Sequence, residues 1–235
     1  MMRGTLYLVP TTLGDTSPED LLPGKTLTLI RSLSTFIVEE IKPARRFLRK
    51  AGYTGNFEAI NLQIFNEHTD RIDLMPFIQP LLDGIDTGLL SEAGTPCIAD
   101  PGSEIVELAH QVGIKVVPLA GPSSILLALS ASGFNGQNFV FHGYLPIEKR
   151  ERQRKIKEIE RAAYDKDQTQ IFIETPYRNK ALLEALNQTC KPSSRLCMAI
   201  NLTTAKEQIL VQTIADWRVS KTDIHKKPAV FLLYH

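Results

Sequence analysis

Short apolar, β-branched runs alternate with stretches of helical spacing along the chain. In the first half TLYLV (5–9), STFIVE (34–39), INLQIF (60–65), DTGLL (86–90) and IKVVPL (114–119) have the length and residue types of strands. PTTLGD (10–15) reads as a loop. Positions 41–52 and 73–82 carry helical spacing, the second interrupted by Pro76 and Pro80. The second half repeats the class without repeating the sequence. Strands are predicted over 138–145, 169–174, 195–202, 207–214 and 229–234, and helices over 148–163 and 179–188. Strands alternating with helices pair in parallel. A polar connection separates the last two strands, which predicts a mixed sheet there. The expected fold class is therefore α/β, with two α/β domains and a ligand cleft between them. The first domain spans 1–117, and the second, with the mixed sheet, spans 118–235.

Composition narrows the classes of function. Lys and Arg number 27 against 26 Asp and Glu, so net charge gives no reason to expect a generic polyanion binder; charge distribution still matters. The three cysteines, Cys97, Cys190 and Cys197, form no CxxC pair, which argues against a disulfide framework or zinc site and fits a reducing compartment. The histidines (His68, His110, His142, His225 and His235) are scattered without ligand spacing, so no metal is expected. The apolar run near Met1 is too short for a signal peptide and no segment reaches the length of a membrane span, so a cytoplasmic protein is expected.

One junction concentrates backbone-shaping residues. LSEAGTPCIADPG (90–102) follows an apolar strand and precedes a helical pattern. Ligands of open α/β sheets bind beyond the carboxyl ends of the strands. Ala93 and Gly94 allow close approach of backbone; Asp100 is expected to cap the next helix, with Pro101 in its first position and Gly113 at its end. AGPSS (120–124) repeats the arrangement after the following strand. Two readings stand side by side: a slot for a small ligand, or two tight turns using the same residue types. GKT (24–26) is not the end of a phosphate-binding loop, because Glu19 occupies the position of the required Gly, and no GxGxxG is present.

With these blocks in place, the sequence resembles the tetrapyrrole methylase superfamily, which uses S-adenosylmethionine. Within it the similarity is to the bacterial branch that methylates a cytidine ribose 2′-oxygen of small-subunit ribosomal RNA. LSEAGTPCIADPG resembles Ser-Asp-Ala-Gly-Thr-Pro followed by Asp-Pro-Gly, with Glu92 at the usual Asp. PLAGPSSILLALSASG (118–133), YLP (144–146), ETPYR (174–178), VEEIKPARRFL (38–48) and NEHTD (66–70) resemble further blocks in order. The resemblance implies a methyl donor held between two domains, and a homodimer. It implies donor contacts from Pro10, Ala93, Pro96, Cys97, Ile98, Ser123, Ser124 and Ile125, and from Ile173, Asn201, Pro228 and Ala229 in the second domain. One segment departs. AINLTT (199–204) places Ile200, Asn201 and Thr204 where the RNA branch carries Arg, Glu and Lys.

Methyl transfer to a ribose hydroxyl calls for a base. Among Glu39, Glu40, Glu67, His68 and Glu174, Glu39 is the first choice, because it ends a strand inside a matching block. The alternative for Glu39 is a salt bridge to Lys42 or Arg46. His68 is read as structural in preference to substrate contact, and Cys97 as a packing residue beside the donor. Ribosomal RNA or the small subunit as partner requires phosphate contacts. Lys42, Arg45, Arg46 and Arg49 share one helical face, and Arg150, Arg154, Lys157 and Arg161 another. Solvated surface faces are the plain alternative. Arg178 either meets a phosphate or pairs with Glu174. Two further functions stay open: transfer to a tetrapyrrole or other small molecule, motivated by AINLTT, and a non-catalytic RNA-binding or assembly protein.

Overall fold

In the first strand, β1 (Thr5–Val9), Leu6 and Leu8 join an apolar cluster on one face of a sheet, while Tyr7 and Val9 join the cluster on the other. This alternation decides the architecture, since a sheet apolar on both faces must be covered on both. The computed structural model describes residues 2–71 and 73–235, and the chain divides into two compact units, one ending at Ser123 and the other running from Ser124 to His235. Pro118 to Ser123 stay with the first unit, because Leu119 donates its N–H to the Leu8 carbonyl at 3.1 Å.

The first unit continues through α1 (Pro18–Leu21), α2 (Gly24–Ser32), β2 (Thr35–Val38), α3 (Ile41–Lys50), β3 (Asn61–Ile64), α4 (Met75–Leu82), β4 (Thr87–Leu90), α5 (Ser103–Gln111) and β5 (Lys115–Pro118). The strands lie in the order β3-β2-β4-β1-β5, all parallel. Leu27 and Ile30 of α2 and Ala44 and Leu48 of α3 pack with Phe36 and Val38 on one face. Phe77, Ile78 and Leu81 of α4 and Ile105 and Ala109 of α5 pack with Ile37 and Leu89 on the other. Gly88 is required in β4, since a Cβ there would stand 2.7 Å from the Phe36 ring. The pattern had not marked α1 and α2; the GKT triplet simply opens α2.

The second unit comprises α6 (Ser124–Ser132), β6 (Phe139–Tyr144), α7 (Lys149–Lys166), β7 (Thr169–Ile173), α8 (Asn179–Thr189), β8 (Arg195–Ile200), β9 (Gln208–Thr213), α9 (Ile214–Trp217) and β10 (Ala229–Tyr234). Its sheet is mixed, in the order β6-β7-β10-β8-β9, with β6 and β7 parallel and the other pairs antiparallel. Phe172 and Phe231 stack with centroids 5.9 Å apart at the centre of its core. Ile156 and Ile159 of α7 and Leu182 and Leu186 of α8 cover them, and α6 packs on β8, β9 and β10. Glu148 caps α7 by accepting the Glu151 N–H at 2.7 Å. Among the described residues, no helix is long and apolar enough to cross a membrane.

Candidate active site

Strand order creates an opening in the first unit. The chain leaves β1 toward α2 on one face of the sheet and leaves β4 toward α5 on the opposite face, yet β1 and β4 are neighbours. The two loops diverge, and a crevice forms outside the carboxyl ends of these strands. A cavity of about 400 Å³ lies there. Residues 11–15 after β1, Glu39, Glu40, Arg46 and Lys50 from the end of β2 and from α3, and Ser91, Glu92 and Ala93 after β4 line it.

Side chains and backbone stitch the surrounding loops together. The Ser91 hydroxyl donates to Asp100 Oδ2 at 2.5 Å and accepts the Ala93 N–H at 3.1 Å. Thr11 donates its N–H to the Gly94 carbonyl at 2.9 Å, and the Thr95 hydroxyl donates to the Pro122 carbonyl at 3.2 Å. Gly94 adopts φ +82°, and a Cβ on it would meet Leu13 at 2.7 Å. Gly121 lies so close to Pro10 that an added Cβ would stand 2.3 Å from the proline Cγ. Cys97 and Ala99 are held at φ 64° and 61°, a strained region for residues with side chains, of the kind that gathers at binding loops. The expected helix start is corrected here. Asp100 does not cap α5 and Pro101 is not its first residue; α5 opens at Ser103 with Gly102 (φ +127°) as its cap. Asp100 is held instead by Ser91. Gly113, at φ +69°, does follow the helix end.

Carboxylates crowd the cavity wall. Glu39 is partly buried, and burial followed by the charges of Asp100, Glu92 and Glu40 pushes its carboxyl up to about 7, against the Glu92 backbone N–H that it accepts. Its Oε1 is buried without a hydrogen-bond partner. Among the described residues no ion pair joins it to Lys42 or Arg46. Burial also raises Glu92 and Asp100 above the usual carboxylate range. Such a carboxyl, half ionised near neutral pH and facing a cavity, suits proton abstraction. Thr11 adds another signal: it is 2% exposed, and its hydroxyl has no partner. Its place in the loop that follows the first strand was the available clue in the sequence.

Of the donor residues implied by resemblance, Pro10 and Pro96 are buried, Ala93 and Ile98 exposed, and Cys97 and Ser123 half-buried, all on the β1, β4 and β5 loops. Burial, then the Asp100 charge, raises the Cys97 thiol to about 11, so it stays protonated near neutrality and packs. In the second unit, Ser124 and Ile125 open α6. Ile173, Asn201, Pro228 and Ala229 gather at one end of the mixed sheet, where Asn201 donates its N–H to Pro228 at 2.9 Å, Ala229 pairs with Ile200 and Ile173 pairs with Val230.

The basic residues divide. Lys42 and Arg46 are exposed, whereas Arg45 is half-buried with its guanidinium toward the Phe57 carbonyl at 3.4 Å, and Arg49 lies over the Phe57 ring. Arg150, Arg154, Lys157 and Arg161 are all exposed along α7. Arg178 pairs with Glu174, whose side chain is 1% exposed, at 2.6 Å. His68 is exposed and lies 3.6 Å from Glu67.

The sequence matches the family described as Tetrapyrrole (Corrin/Porphyrin) Methylases over residues 5–217. A protein of Vibrio cholerae named ribosomal RNA small subunit methyltransferase I is 30% identical over 98% of this chain and 76% of its own length. The proteins of that name from Pseudomonas aeruginosa and Bacillus subtilis are each 30% identical, covering 99% and 91% of this chain and 79% and 68% of their own. Two solved structures share the fold. One is the methyltransferase CobJ, with TM-score 0.66, 18% identity and coverage of 99% of this chain and 94% of that one. The other is CbiF, a cobalt precorrin-4 methyltransferase of cobalamin biosynthesis, with TM-score 0.64, 14% identity and coverage of 98% and 94%. The blocks from 90 to 102 and from 118 to 133, the parallel sheet with its crevice and the match along nearly the whole chain converge, and this methyltransferase belongs to the tetrapyrrole (corrin/porphyrin) methylases.

Proposed function

We propose that this methylase transfers a methyl group from S-adenosylmethionine to a ribose 2′-hydroxyl of small-subunit ribosomal RNA, with Glu39 as the base. The observation that carries the reading is the Glu39 carboxyl, raised to about 7 and lining a cavity of about 400 Å³ beyond the strand ends. The acceptor class is taken from the name shared by the relatives. The loops suit a donor with polar groups. Thr11 offers a buried hydroxyl without a partner, and Gly94 and Gly121 leave no room for a Cβ. Pro10, Ala93, Pro96, Cys97, Ile98 and Ser123 would hold the donor on the loops of the first unit. The donor supplies a methyl group on a positively charged sulfur.

The protein's own share is alignment and proton removal. Holding reacting groups in line is worth up to about 7–11 kcal/mol in ideal cases. Glu39 takes the ribose proton through the oxygen that the Glu92 N–H does not hold, a gain of roughly 10²–10⁴-fold. Arg46, which lines the cavity, and the exposed Lys42 of the same helix, with Arg150 and Arg154 on α7, supply phosphate contacts. We place the enzyme in the cytoplasm as a homodimer, in keeping with its three free cysteines.

The test is transfer of labelled methyl to small ribosomal subunits from cells lacking the protein, followed by mapping of the label. Label on a ribose oxygen is expected. Absence of label from a folded preparation that binds S-adenosylhomocysteine would move the acceptor to a small molecule, the reading that AINLTT favours. There Ile200 is fully buried, a packing residue where the RNA branch carries Arg.

A further inference from the structure

The second unit exposes an aromatic ring among cations that the proposed chemistry does not use. Tyr177, in the ETPYR segment between β7 and α8, is 72% exposed, more than any other Phe, Tyr or Trp among the described residues. Isolated exposed apolar groups are common. This one is set apart by the backbone that holds a cation beside it. Lys226 places its Nζ 5.5 Å from the Tyr177 ring centroid. It does so from a backbone at φ +57°, uncommon for a residue with a side chain, with its N–H donated to the Pro176 carbonyl at 3.1 Å. Asn179, fully buried, donates its side-chain amide to the Lys227 carbonyl at 2.7 Å. The loop before α8 and the loop before β10 are thereby fastened into one surface.

That surface is basic. Lys180 and Lys226 are exposed on it. Its acids are already occupied. Glu174 is buried against Arg178, and Asp223 is held below the usual carboxylate range by the His225 backbone N–H and then by Lys227 and Lys180. An exposed ring flanked by cations matches unpaired RNA, whose bases stack on aromatic faces and whose phosphates seek Lys. A folded protein partner would ask for a broader apolar patch.

We infer that Tyr177 and Lys226 form a platform for single-stranded RNA, with an unpaired base stacked on the tyrosine and its flanking phosphates on Lys226 and Lys180. The inference rests on the ribosomal RNA reading above and adds to it a contact carried by the second unit.

The test measures binding of a fluorescent, unstructured single-stranded RNA oligonucleotide to the full chain by anisotropy across a salt series. Tyr177→Ala is expected to weaken binding about 5- to 100-fold and Tyr177→Phe to stay within about twofold of the parent. Lys226→Gln is expected to lower the slope of log K against log salt by about 0.7, the value of one single-strand phosphate contact. S-adenosylhomocysteine affinity, measured on each variant, is expected to be unchanged. Equal binding by Tyr177→Ala and the parent overturns the inference, as does a parent that binds no RNA. If the Tyr177→Ala chain melts early, the Lys226→Gln salt slope decides alone. A parent that transfers no methyl to ribosomal subunits yet binds RNA through Tyr177 would overturn the proposed reaction and leave the platform standing.

Discussion

Ser91 donates its hydroxyl to Asp100 at 2.5 Å across the loop that joins β4 to α5. The bond fixes a partly buried carboxylate beside the cavity, and among the charges around Glu39 that of Asp100 contributes most after burial itself. The loop therefore orders the backbone at the crevice and also raises the proton affinity of the candidate base. With Glu39 at about 7, kcat/KM is expected to rise about tenfold per pH unit below that value and level off above it. Asp100→Asn removes the largest of the charge effects, so the acid limb should move to lower pH. Glu39→Gln should lose about 10²–10⁴-fold in rate together with the limb. A pH–rate profile of the three proteins checks this; an unmoved limb in Asp100→Asn would detach the base from the Asp100 field.

The same carboxyl has a stability signature. Its folded value lies above the ordinary Glu value, so the folded state holds the proton more tightly and stability falls as pH rises from about 4.5 to about 7. Above that window the parent carries an ionised, partly desolvated carboxylate facing Asp100, Glu92 and Glu40. Glu39→Gln is expected to melt higher than the parent at pH 8 and about equally at pH 4. Melting curves at the two values measure the difference. A variant less stable at pH 8 would mean that the carboxylate is favourably held in the fold.

Much of this was readable from the chain. The ten strand segments follow from apolar runs bounded by Gly, Pro and polar residues, and 90–102 stands out by its turn chemistry alone. What pattern could not supply was which side chain meets which. Asp100 looks like a helix cap in sequence because it precedes Pro101, yet the left-handed turns at Cys97 and Ala99 carry it back to Ser91. Arg45 and Arg46 are neighbours on one helix, yet the first turns to the Phe57 carbonyl and only the second lines the cavity. α1 and α2 escaped because 16–33 mixes Pro, Gly and Thr with its apolar positions; for α2, the burial of Leu27 and Ile30 against Val9, Phe36 and Val38 overrides that propensity.

Gly121 and Pro10 predict a purely steric effect. The added methyl of Gly121→Ala would stand 2.3 Å from Cγ and 2.5 Å from Cβ of a buried proline, so the loop after β1 or the loop after β5 must shift. Overpacking of this kind costs about 1–3 kcal/mol. The shift falls on the loops proposed to hold the donor, so S-adenosylhomocysteine affinity, read by calorimetry, is expected to fall with stability. Gly133→Ala, where a Cβ would meet nothing within 4 Å, is the control for backbone strain, since Gly133 has φ +69°. It should lower stability and leave affinity intact.

Arg178 and Glu174 separate a structural cation from an RNA contact. Arg178 gives both Nε and Nη2 to Glu174 Oε1, at 2.9 and 2.6 Å. The carboxylate has almost no solvent, so removing its partner leaves a buried charge, which costs about 3–5 kcal/mol. Arg178→Ala is expected to melt well below the parent, and Glu174→Gln/Arg178→Ala together to recover part of the loss. A variant with parental stability and weakened RNA binding would return Arg178 to the phosphate-contacting set.

Arg150 and Arg154 lie on the exposed stripe of α7, far along the chain from the carboxylates, and decide between acceptors. If the acceptor is RNA, Arg150→Ala/Arg154→Ala removes phosphate contacts and leaves the chemistry intact. The salt slope of binding should drop by about 0.7 for each contact, and KM for ribosomal subunits should rise while kcat holds. If the acceptor is a small molecule, the stripe is a solvated surface and neither constant moves. Lys155 of the same helix lies off this stripe and is ion-paired to Glu158, so its substitution is the internal control for a helix-stability effect. A KM increase confined to Arg150 and Arg154 therefore reads RNA contact, and one shared by Lys155 reads a loosened helix.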